Sequence, residues 1–590
     1  MSIPLHPPTT SQAYPEFSVR RPIDFDGLQF CDSADGTLTD ADGTVVFENE
    51  YRGLLLAIVR RNDAESLKRY LTRHPRHLGP GETDSYDPYW VAAYEGSTES
   101  LRLLLEHPAD ETEPLDTRGY LLLNVACQAA QLETVRFLLD HSQDWSRAGV
   151  LVDVFARDRY GMTALLSAAS SFANLPSSEE LPGKENNMNT VLHDYLARAE
   201  SVMNLLLDRG AHAGDMCMYT SAEASEEPQV RHSVLSQAIS RASAKLVTRL
   251  LATGAAQTDA LKTMHIFDNG GHEEWTYNVT PLHIGACYSN FEGIQVLLEH
   301  DSNMVKVSDS YGRLPLHWAA AGPGYQDYML TQDEIASHVL QTTTLLLAHH
   351  PDAINAPDSQ GRTALHYAYV VAHTGPHHAI VRTATLLLEK GADGGRRNGG
   401  GRTPLHLLLR LLHQRLNAIS EAQLLELVSA LLIRGADADA ADGQKVTPLQ
   451  LAARSLGDIQ IARLLLRHGA SASAADAAGS TPLHEAARGY VVVRPSPDGN
   501  YTQEVPLPPP QQRIRLTAED LIRKQDEMMG VLLEAAADVD GLIDRPNEAG
   551  ETPRSVRDAM RSKWRAADEE AAARRGGLWP RRGRGRGGRR

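Results

Sequence analysis

The stretch from Thr447 to Ser480 reads T-P-L-Q-L-A-A-R-S-L-G-D-I-Q-I-A-R-L-L-L-R-H-G-A-S-A-S-A-A-D-A-A-G-S, and its opening returns at once as Thr481-Pro482-Leu483-His484. Thr447 is placed as an N-cap, its hydroxyl accepting from a free N–H of the first turn. Pro448 falls at N1, where a missing N–H costs nothing. Leu449, Leu451, Ala452 and Ala453 make a first helix thin enough to be covered on both sides. Ile459, Ile461, Leu464, Leu465 and Leu466 recur at helical spacing and predict a second, antiparallel helix. Gly469 supplies its left-handed end, and Asp476 with Gly479 forms the turn into the next cap. Two helices this short cannot bury their apolar faces alone, so the unit requires stacked copies of itself.

Copies are abundant. Thr280-Pro281-Leu282-His283, Leu314-Pro315-Leu316-His317, Thr363-Ala364-Leu365-His366 and Thr403-Pro404-Leu405-His406 precede Thr447 and Thr481, and Thr552-Pro553 opens a decayed last unit. The intervals between first residues are 34, 49, 40, 44, 34 and 71. The longer ones therefore carry inserts, expected at 171–190, 321–338 and 489–516. Thr331 to Glu334 and Thr517 to Asp520 read as capping boxes opening lengthened second helices. Weaker units, without a clean T-P-L-H, begin near Tyr51, Pro88, Tyr120, Thr163 and His232.

A T-P-L-H core in phase with L-L-L-x-x-G-A resembles the ankyrin-repeat family along nearly the whole chain. The resemblance implies an all-α fold, an ankyrin-repeat α-solenoid of about twelve irregular repeats joined by short β-hairpin turns. It is expected over 51–565, after a disordered or loosely packed lead at 1–50 and before an Arg/Gly-rich basic tail at 566–590. The long inserts are similar in style to ankyrin proteins of filamentous fungi, some of which act as transcriptional coregulators of metabolite gene clusters.

Composition narrows the function. The chain of 590 residues has four scattered cysteines without paired spacing, which argues against a disulfide framework or a zinc module. No signal peptide opens the sequence and no apolar run approaches a membrane span, so a soluble protein of nucleus or cytoplasm is expected. The net charge is −17; setting aside the eight arginines of 574–590 leaves −25 for the rest. An acidic body is a poor nucleic-acid binder. Phosphate-loop, nucleophile-elbow, H-E-x-x-H and dinucleotide signatures are absent, so neither catalytic residues nor a cofactor is expected.

Candidate residues fall in three groups. One histidine per repeat at 283, 317, 366, 406 and 484 cannot converge on a metal, because stacked helices lie about 8–10 Å apart whereas zinc ligands lie within about 2 Å of the ion. These read as local hydrogen-bonding groups. Arg313, Arg362 and Arg402 each precede a repeat's first helix, and Lys445 sits one residue earlier in the next unit. In the ankyrin family that position lies at the base of the hairpin finger and faces the concave groove, which implies a basic stripe for an acidic partner, with Tyr311 and Trp318 as anchors. The tail cations Arg581, Arg582, Arg584 and Arg586 read as a nuclear-import or RNA-contacting segment. The expected function is a monomeric, non-enzymatic protein–protein scaffold, with a transcriptional coregulator as its finer reading. The alternatives are an RNA-associated protein working through its tail, or a ubiquitin-ligase substrate adaptor, for which no recruiting box is found at 1–50 or 540–573.

Overall fold

A computed structural model describes residues 29–30, 37–39, 45–48, 51–73, 87–107, 120–147, 150–173, 175, 188–219, 229–255, 261–264, 275–322, 332–370, 377–411, 420–490, 517–536 and 538–576. The chain is mostly helical and divides into two compact units. The first comprises 1–171 and 195–217; the second comprises 172–194 and 218–590.

In the first unit, short helices pair as the sequence predicts. Pro88–Glu95 is capped by Asp87, whose carboxylate accepts from the Tyr89 N–H, and Pro88 occupies N1. Leu122–Gln128 packs on Pro88–Glu95, and the second helices Thr98–Glu106 and Leu132–Asp140 pack on each other. Within the expected lead, Gln29–Phe30, Thr37–Thr39 and Val45–Glu48 pair as a three-stranded antiparallel sheet. That departs from the expected disorder or loose packing. Its β-branched and aromatic residues (Thr37, Thr39, Val45, Val46, Phe47) suit a pleated surface.

The second unit shows the repeat at its most regular. The first helices Pro281–Cys287, Pro315–Ala321, Ala364–Val370, Pro404–Leu411, Pro448–Arg454 and Pro482–Arg488 each pack on the next. The second helices Phe291–His300, Gln332–His349, His377–Glu389, Glu421–Ile433, Ile459–Arg467 and Ala518–Glu534 form a parallel layer behind them. The inserts lengthen the second helices, and the capping box at Thr517 is present. The last helix, Pro553–Gly576, runs past the expected boundary at 565. Its Ala- and Glu-rich extension, Ala566 to Ala573, favours helix without a core to bury.

Fingers between the pairs are built by one rule. At Asp309, Asp358, Asn398, Asp442, Asp476 and Asn547 the backbone N–H donates to the carbonyl four residues on, at 2.8–3.0 Å. The side-chain oxygen accepts from the N–H of that same fourth residue, at 2.7–3.0 Å. The third residue is left-handed, as at Gly312 (φ 74°) and Gly479 (φ 73°), where glycine avoids a Cβ clash. Each finger also donates to the one before: Ser310 to Tyr277, Ser359 to Tyr311, Gly399 to Gln360, Gly443 to Gly400, Ala477 to Gln444 and Glu548 to Ala478. This ladder fixes the register of successive units and so the spacing of whatever they display.

Candidate interaction face

The histidines hold the stack together. In each, Nδ1 accepts from its own cap residue's N–H at 2.9–3.2 Å (Thr280, Leu314, Thr363, Thr403 and Thr481). Nε2 then donates to a carbonyl of the following unit at 3.0–3.2 Å, that of Arg313, Ala356, Arg402, Val446 and Glu551. Both bonds require the neutral imidazole protonated on Nε2. Burial pushes His283 and His366 down to about 4, and lowers His317, His406 and His484 for the same leading reason. Gln450 replaces the histidine in the Thr447 unit. Its Oε1 accepts from the Thr447 N–H at 2.7 Å and its Nε2 donates to the Ser480 carbonyl at 2.6 Å. In the first unit, Asn124 makes the second of these bonds, to the Met162 carbonyl at 2.8 Å. Among the described residues, no cluster of three or more histidines, cysteines or carboxylates could hold a metal.

The expected basic stripe needs correction. Arg313 is 1% exposed. Its Nε donates to Asp309 Oδ2 at 2.6 Å, an Nη donates to Thr276 Oγ1 at 3.1 Å, and the guanidinium lies 5.0 and 5.2 Å from the ring centroids of Tyr311 and Trp318. Trp318 is wholly buried and donates Nε1–H to the same Asp309 oxygen at 3.0 Å. Arg313 and Trp318 are therefore an internal ion-pair cluster, closed because its charge is answered by Asp309 four residues back. Neither is offered to a partner. Tyr311 is half-buried against Arg313.

Arg362 is half-buried, 5.9 Å from the Tyr367 ring centroid, and Tyr367 donates its hydroxyl to Asp358. Arg402 keeps a 35% exposed side chain and reaches the next finger, its Nε donating to Asp442 at 3.3 Å. The difference is local: Asn398 stands where Arg313 has Asp309, and Leu407 stands where it has Trp318. Lys445 is exposed, and takes φ 59° in the position where the other fingers have glycine. Arg581, Arg582, Arg584 and Arg586 lie outside the described residues.

A second row of cations lies outside the finger-base pattern. Arg410, Arg454 and Arg488 occupy the same place in three successive units, seven residues after Thr403, Thr447 and Thr481. The signal was present as T-P-L-x-x-x-x-R repeated three times. Each sits at the C-terminal end of a first helix, where a cation meets the negative end of the dipole. Arg488 runs back along its helix to Ser480 and also pairs with Glu485 and Glu551. Arg454 lies 3.7 Å from Glu485. Arg410 is exposed and makes no ion pair among the described residues. Desolvation of its guanidinium, and then the nearby Arg402 guanidinium, hold its pKa below the usual arginine value against the opposing pull of the Asp442 carboxylate. Arg402 and Arg410 thus lie near one another, with Arg454 at the equivalent helix position one unit on, in a chain of net charge −17.

A family model described as ankyrin repeats matches residues 54–149, 89–181 and 412–494. These take in the first unit's helix pairs, which lack T-P-L-H, and the reference unit at 447–480. No described helix is long and apolar enough to cross a membrane. The helix pairs, the finger ladder and the matched repeats agree: the chain is an ankyrin-repeat protein.

Proposed function

We propose that this protein is a non-enzymatic scaffold, and that its second unit holds a protein partner on the edge formed by the fingers and the first-helix ends. The supporting observation is that Arg410 and Arg454 hold the same helix position in adjacent units, with Arg402 beside Arg410 in its own unit, on a ladder in which every finger is bonded to its neighbour. Rigid elements hold such groups in place without an ordering cost on binding. Folding explains Thr447, Pro448 and Gln450, which cap and staple; the helix dipole favours a cation at 410 but leaves it without an ion pair among the described residues.

The finer reading is a nuclear coregulator, supported by the Arg-rich end of the sequence and by the resemblance in insert style. A charge-reversed protein carrying Arg402→Glu, Arg410→Glu and Arg454→Glu tests the scaffold. It should lose partners that wild type retains in affinity purification from cells, while keeping its helical circular dichroism. Retention of the same partners would refute the proposed face. Proximity labelling with and without residues 577–590 tests the nuclear reading, which fails if nuclear proteins are labelled equally in both.

A further inference from the structure

The scaffold reading leaves the partner's chemistry open, and the edge that carries it supplies a measure. First helices of successive repeats stack about 8–10 Å apart, so the backbone positions of Arg410, Arg454 and Arg488 recur at about that interval. Glu485 occupies the fourth helical position of the Thr481 unit and is 16% exposed in its side chain. It lies 3.7 Å from Arg454 and 3.2 Å from Arg488. One carboxylate can therefore sit between two arginines of adjacent units. The equivalent positions in the two preceding units are Leu407 and Leu451, both half-buried, so Arg410 has no such internal acid. The row consists of one occupied socket and one open socket, with leucine as the floor of the open one.

An occupant must present carboxylates at about the same interval. A β-strand returns a side chain to the same face after two residues, about 7 Å. An α-helix does so after seven residues, about 10.5 Å, and the surplus grows with each step. A polyproline II segment returns every third residue, about 9.3 Å at 3.1 Å per residue. It fits the stacking interval without accumulated error, and its backbone is already extended and ordered. Apolar residues between the acids would lie over Leu407 and Leu451.

We infer that the edge bearing Arg402, Arg410 and Arg454 reads an acidic polyproline II segment of a partner protein, with a carboxylate at every third residue. This inference rests on the proposed scaffold function. The probe is a fluorescein-labelled peptide of four Glu-Pro-Pro triplets, titrated by anisotropy into the full-length chain. It should bind with an affinity that falls with added salt and drops at least tenfold in Arg410→Glu. Arg410 is exposed and makes no ion pair among the described residues, so that variant should fold. A second variant, Glu485→Gln, frees Arg454, while Arg488 keeps its pairing with Glu551, and should tighten binding severalfold.

Three controls can overturn the inference. A peptide of the same composition with its four glutamates in one block should bind at least fivefold more weakly; equal binding refutes the spacing. A helical peptide with glutamate at every seventh residue, or a single-stranded RNA of equal charge, refutes the proposed partner class if it binds more tightly. Unchanged binding in both variants refutes the site. If the peptides fail while the charge-reversed protein still loses its cellular partners, this inference falls alone and the scaffold reading stands.

Discussion

The histidine staples predict a specific acid sensitivity that one natural substitution shows how to remove. His283 and His366 are neutral and buried, with pKa values near 4 against an ordinary 6.5. Between those values the unfolded chain binds a proton that the folded chain does not. Stability therefore rises with pH, is fully present above about 7.5, and is lost as pH falls from about 6.5 toward 4. Going from pH 7.5 to 5.5 costs about one pH unit of differential protonation per histidine, or about 1.4 kcal/mol each. Gln450 makes the same two bonds and cannot titrate in this range. The double variant His283→Gln with His366→Gln should therefore lose about 3 kcal/mol less than wild type over that interval. Hydrogen-exchange mass spectrometry of Pro281–Cys287 and Ala364–Val370, corrected for intrinsic rates, reads it locally. Wild type should open about tenfold more readily per titrating histidine at pH 5.5, and the variant should not. Equal loss of protection in both proteins would refute the neutral-staple account.

Three further outcomes follow from single sites. Asp309→Ala strands the Arg313 guanidinium inside the Thr280–Leu314 region and should cost about 3–5 kcal/mol, seen as faster exchange and protease cleavage there. Lys445→Gly relieves a left-handed lysine and should slow opening of the Thr447 unit, a gain of about 1 kcal/mol. Thr447→Ala removes the hydroxyl that accepts from the Gln450 N–H and should cost about 1 kcal/mol in the same assay.

Much of the fold was legible because the repeat writes its local structure into adjacent residues. Thr447, Pro448 and Gly469 specify where helices start and stop without reference to anything distant. The burial of Arg313 was hidden because it depends on a combination. Asp309 precedes it by four residues and Trp318 follows by five, and both are needed to close the cluster. Arg402 has Asn398 and Leu407 at those places and stays half-open, so the same finger-base arginine has two fates. Arg410, Arg454 and Arg488 were visible in the sequence as T-P-L-x-x-x-x-R, yet their significance needed the ladder, which sets them side by side. The sheet at Gln29–Phe30, Thr37–Thr39 and Val45–Glu48 leaves no sequence signal because strands this short carry too few residues for a period.

The central claim is that a partner lies along the finger and first-helix edge of the second unit. A photo-crosslinking amino acid at Leu451, on that edge, compared with one at exposed Arg467, on the second-helix layer, tests it most directly. Irradiation in cells should join a partner protein to position 451, with the crosslink lost in the Arg410→Glu background, and leave position 467 unlabelled. Crosslinking at 467 with none at 451 would contradict the account.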